Sequence, residues 1–134
     1  MENTAEKTRN GLPKVLLALI SLEFIFGTLA SLYQEIPEGE AKYDVYKSVG
    51  IILFHVLIAL VLFVLGLIYM VRTKKQKASR KELGASIGGF MCILLALASG
   101  ATFVDTGNDI FSFTMMFFAL GALLSYAQIV FRKQ

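Results

Sequence analysis

Apolar and polar positions fall in long blocks along this chain. Four apolar blocks occupy residues 12–33, 48–71, 83–104 and 110–131, and short polar stretches separate them. The second is the purest: between positions 51 and 71 only His55 and Tyr69 carry a titratable group. A helix rises about 1.5 Å per residue, so blocks of this length match the roughly 30 Å hydrocarbon core of a bilayer. The pattern predicts an all-α fold, a four-helix transmembrane bundle running up-down-up-down. It makes residues 1–134 one membrane domain. Residues 1–11 are polar and expected to be disordered or interfacial, and Pro13 sits where a first helical turn tolerates it.

Charge then orients the bundle. Positions 72–81 hold six Lys and Arg in ten residues, a density that stays on the cytoplasmic side during insertion. With that loop inside, the N- and C-termini are also expected to be cytoplasmic. Eleven of the thirteen Lys and Arg then fall in cytoplasmic segments. Positions 34–47 carry four carboxylates against two lysines and contain Pro37 and Gly39, which predicts an exposed outer loop. Tyr43 and Tyr46 would sit there at headgroup depth.

Composition sharpens the class. The chain is 56% hydrophobic and 17% charged, with a mean hydropathy of +0.66. A soluble domain of this size carries more charge, so the expected surroundings are a lipid bilayer. The cations are expected to set topology and meet lipid headgroups; no nucleic-acid partner is expected. Lys7, Arg9 and Lys14 before an apolar run resemble the start of a signal peptide. The run has nearly the length of a full span, with Glu23 inside it, and is expected to stay as an uncleaved first helix. Cys92 is the one cysteine, so no intrachain disulfide is available.

Small residues mark helix contacts. Gly84, Gly88, Cys92, Ala96 and Gly100 recur every four residues, with Gly89 and Ser99 beside them. Such a stripe lets another helix come close and gain van der Waals contact. It serves either packing within the chain or contact with a second copy or another subunit. Glu23, Gly27 and Ser31 form a comparable stripe on the first span. His55, Ala59, Leu62 and Gly66 share a face of the second.

Few residues can carry chemistry. Glu23 lies near the middle of its span, where a charged side chain costs on the order of 3 kcal/mol. Buried carboxyls of this kind line proton or cation pathways, or fasten helices through a hydrogen bond. His55 is the only histidine. It is expected within about one helical turn of Glu23 in depth on the neighbouring helix. A Glu–His pair can relay a proton or hold a static hydrogen bond. One histidine excludes a bis-histidine haem within the chain. Cys92 and Met91, Met115 or Met116 are soft donors, but no spacing joins them to His55 as a copper site. No metal site and no cofactor are expected. Asp105, Asn108 and Asp109, with Thr106, form an outer turn whose oxygens are expected to cap helices rather than bind a cation. Asn108, Asp109 and Ser112 are the N-cap candidates. No nucleophile–base set is present, so no catalytic residue is assigned and an enzyme is not favoured.

Three stretches carry a resemblance. They are Leu22-Glu23-Phe24-Ile25-Phe26-Gly27 with Leu32-Tyr33 and Ile36-Pro37; Leu53-Phe54-His55; and Ser99-Gly100-Ala101-Thr102-Phe103 with Thr106-Gly107-Asn108-Asp109, Ser112-Phe113, Met116 and Tyr126. Together they resemble a loosely defined set of small prokaryotic four-helix membrane proteins with no settled activity. The resemblance implies a four-helix bundle in a prokaryotic plasma membrane and supplies no mechanism. Small multidrug resistance transporters also place a glutamate centrally in a first span, with glycine close behind. Their pocket uses tryptophan, which this chain lacks, and their weak charge bias contrasts with residues 72–81. No function is carried over from them. The expected function is a non-catalytic accessory or assembly subunit of a larger integral membrane complex, or a self-associating bundle, contacting its partners through the 84–100 stripe. The alternative is a proton-coupled small transporter or channel component using Glu23 with His55.

Overall fold

The computed structural model describes residues 4–33 and 50–132. The acidic stretch 34–47, with Tyr43 and Tyr46, lies outside the described residues. So does the start of the expected second span. The described residues form four helices: α1 (Thr4–Tyr33), α2 (Gly50–Lys75), α3 (Arg80–Thr106) and α4 (Asp109–Arg132). Each is long and apolar enough to cross a membrane, which points to an integral membrane protein. Only 17–22% of each span's apolar stretch is buried within the bundle. The outward apolar surface far exceeds the patches that monomeric soluble proteins leave exposed.

The helices run longer than the apolar blocks, for local reasons. α1 begins at Thr4, not near residue 12, and Pro13 lies well inside it with its ring buried. A proline there removes one i→i−4 bond, which spanning helices accommodate. The basic loop shrinks from 72–82 to 76–79. Arg72, Lys74 and Lys75 complete the last turn of α2, where cations favour the negative end of the helix dipole. α2 then stops in a Schellman arrangement. Ala78 N donates to Thr73 O and Lys77 N donates to Lys74 O, both at 3.3 Å, with Lys77 at φ 49°. Ser79 starts α3 at once, its Oγ accepting from Glu82 N at 3.2 Å.

The turn between α3 and α4 is shorter still. α3 reaches Thr106, Gly107 takes the left-handed conformation at φ 65°, and its N–H donates to Phe103 O at 2.7 Å. Asn108 caps α4, its Oδ1 accepting from Ile110 N at 3.0 Å. Asp109 is therefore the first residue of α4, at the helix end that favours an acid. Ser112 is buried one turn inside.

The helices close into a ring. α1 packs on α2 and α4, and α3 packs on α2 and α4. The core takes Leu16 and Ile20 from α1, Ile58, Leu62 and Tyr69 from α2, Ile93 from α3, and Ala122, Tyr126 and Ile129 from α4. Leu62 and Gly66 face inward together, while Leu53, Phe54, Leu57 and Leu60 stay exposed.

Candidate functional site

Glu23 on α1 and His55 on α2 come together. His55 Nδ1 stands 3.0 Å from Glu23 Oε1. His55 Nδ1 has no hydrogen-bond partner among the described residues, so this is a close polar contact rather than a formed hydrogen bond. The Glu23 side chain is 11% exposed and that of His55 19%. Glu23 Oε2 is buried with no hydrogen-bond partner among the described residues.

Two features of the sequence set this geometry. Gly27 is one turn beyond Glu23 on the same helix face. A Cβ there would lie 3.1 Å from His55 Cε1, so the imidazole uses the space a side chain would take. Next to these two residues, Phe26 and Phe54 meet edge to face, with ring centroids 5.5 Å apart and planes at 62°. That contact ties α1 to α2 at the level of the pair.

Most of the 84–100 stripe packs within the chain. Cβ atoms built at Gly100 and Gly88 would lie 3.0 Å from Met115 Sδ and 4.0 Å from Ser125 Oγ. One built at Gly121 would lie 3.0 Å from Cys92 Sγ. Gly88, Cys92 and Gly100 thus meet α4 of the same chain, with half-buried Ala96 between them. Gly84 has no such atom within 4 Å. Gly89, beside the stripe, makes the closest approach: its Cβ would fall 2.8 Å from Tyr126 Cε2.

Comparison with protein-family models, curated proteins and solved structures finds no match.

A second polar group, which the sequence pattern does not announce, lies at the other end of α2. Tyr69 OH donates to Glu82 Oε1 at 3.0 Å, and Thr73 Oγ1 donates to Tyr69 O at 2.8 Å. The rings of Tyr69 and Tyr126 are 6.1 Å apart. Tyr126 OH and Ser86 Oγ are buried without a hydrogen-bond partner among the described residues. Ser79-Arg80-Lys81-Glu82 has the Ser-x-x-Glu spacing of a capping box and could have revealed the start of α3. The Tyr69 contact has no local sequence signal, because it joins two helices.

Among the described residues no three or more His, Cys, Asp and Glu gather as a metal site would require. Asp105, Asn108 and Asp109 are exposed at the α3–α4 turn. Cys92 and Met115 point at the α3–α4 seam, whereas His55 faces α1. The chemistry that Glu23 and His55 offer is proton exchange: a carboxyl with one oxygen unpartnered among the described residues, beside an imidazole that both accepts and donates.

Proposed function

We propose that this is a small integral membrane protein whose Glu23–His55 pair takes up and hands on a proton, as part of a proton-coupled transporter or channel. The observation that carries it is the 3.0 Å contact between two ionisable side chains of spanning helices, with Glu23 Oε2 lacking a hydrogen-bond partner among the described residues. Intramembrane ionisable residues are costly, and a purely structural pair would use both carboxyl oxygens more fully. Gly88, Cys92 and Gly100 of the small-residue stripe pack on α4 of the same chain, while Gly84 meets nothing within 4 Å. That shifts the balance from an accessory subunit towards the pair itself.

The same proposal includes an up-down-up-down path with both termini cytoplasmic. Its support is the short connections at 76–79 and 107–108, which favour antiparallel neighbours. The contacts Gly88 with Ser125, Cys92 with Gly121 and Gly100 with Met115 run in opposite senses along α3 and α4. The cations from Arg72 to Lys81 favour the cytoplasmic side for that end. A prokaryotic plasma membrane rests on the resemblance alone.

The test is proton flux in proteoliposomes under an imposed pH gradient, with the membrane potential clamped. The full chain is expected to dissipate the gradient and the Glu23→Gln variant to hold it. Equal flux from both, or none from the full chain, would sink the proposal.

A further inference from the structure

At the end of the bundle away from the Glu23–His55 pair, α3 and α4 leave a cleft of about 440 Å³. It is lined by Ser79, Lys81, Glu82 and Ala85 from the start of α3 and by Gln128, Ile129 and Arg132 from the end of α4. The volume falls within the roughly 300–1,000 Å³ of ligand clefts. From this cleft we propose a binding site for a phosphate-bearing anion, with Lys81 and Arg132 as its cationic jaws.

Three observations support an anion. The lining carries two cations, from different helices, against one carboxylate. That carboxylate, Glu82, already accepts from Tyr69 OH through Oε1, which directs part of its charge towards α2. The wall beneath Lys81 is the first turn of α3, whose N-terminus carries partial positive charge. Arg132 adds a planar fork suited to phosphate oxygens, and Gln128 a neutral amide donor.

Position adds to chemistry. Lys81 is the second residue of the Arg80–Thr106 span and Arg132 the last of the Asp109–Arg132 span. Both therefore stand where a spanning helix meets the headgroup layer, with exposed side chains. Deeper in the cleft, Ala85 and buried Ile129 offer an apolar floor. A polar mouth over an apolar floor suits an anionic phospholipid, whose phosphate and first acyl carbons need both; basic clefts between spanning helices recognise such headgroups. A free phosphate would use the mouth alone.

The experiment reconstitutes the full chain in phosphatidylcholine nanodiscs containing a minority of phosphatidylglycerol. Lipids retained after detergent extraction are then counted by native mass spectrometry. The full chain is expected to keep phosphatidylglycerol. Retention should fall about tenfold or more in Lys81→Gln/Arg132→Gln and persist in Lys74→Gln/Lys75→Gln, which removes equal charge outside the cleft. The single variants Lys81→Gln and Arg132→Gln, each at an exposed position, give partial losses if the double variant fails to fold. Displacement of the lipid by inorganic phosphate, or phosphate binding with the same dependence on Lys81 and Arg132, would make the free anion the ligand and keep the site. Equal retention in the cleft and control variants, or no retention of either probe by the full chain, would overturn it.

Discussion

Gly27 is the space into which His55 fits: a methyl group on its Cα would stand 3.1 Å from His55 Cε1. Contact at that distance is tighter than ordinary packing, and the imidazole must yield. The direction it yields decides whether Nδ1 keeps its place beside Glu23. Gly27→Val is therefore expected to abolish gradient dissipation in proteoliposomes almost as completely as Glu23→Gln. Gly27→Ala should give intermediate flux, since a shift of a few tenths of an ångström absorbs a single methyl. Full flux from Gly27→Val would show that the imidazole need not sit where the structure has it.

The two central tyrosines should respond oppositely to loss of their hydroxyls. Tyr69 OH donates to the Glu82 carboxylate, whereas Tyr126 OH is buried with no partner among the described residues. Removing a donor from a carboxylate destabilises by about 1–2 kcal/mol, while removing an unsatisfied buried hydroxyl is neutral or favourable. Both rings, and their 6.1 Å contact, survive replacement by phenylalanine. Denaturant unfolding in mixed micelles should place Tyr69→Phe below the parent protein and Tyr126→Phe level with it or above. A destabilised Tyr126→Phe would mean that its hydroxyl has a partner, a buried water being the natural one.

What the sequence could show follows from the range of each interaction. Hydrophobic blocks report burial in lipid, so the four helices were legible from residues 12–33 to 110–131. Their ends were less so, because caps are decided by a few polar atoms. Asn108 is legible as a cap among three candidates, whereas Ser79 is masked by the charge run around it. Glu23 and His55 stand out as ionisable residues in apolar runs, at depths that let them pair. Their contact depends on how α1 and α2 rotate, and Gly27 was the one hint of that. The 84–100 stripe announced a close helix contact without naming the helix, since small residues specify approach distance and not the partner. Tyr69 and Glu82 gave no signal, being an ordinary aromatic in one helix and an ordinary acid in the next.

The glycines of α3 separate close approach from open space. At Gly89 a Cβ would fall 2.8 Å from Tyr126 Cε2 and 3.2 Å from Ser125 Cβ, the tightest seat in the α3–α4 seam. At Gly84, one turn and a little more before it, there is nothing to meet. Alanine gains about 1 kcal/mol over glycine in a helix interior through backbone entropy alone. Gly84→Ala should keep that gain and melt slightly higher than the parent protein. Gly89→Ala receives the same gain, but the Tyr126 hydroxyl lies against Gly66 of α2, 3.4 Å from where a Cβ there would stand, so the rigid ring cannot swing aside freely. Overpacking of about 1–3 kcal/mol should then outweigh the entropy term, and the variant should melt lower. Thermal unfolding of the pair in one detergent checks the sign of each change. A Gly89→Ala variant that melts higher than Gly84→Ala would show that α4 does not sit against α3 at this register.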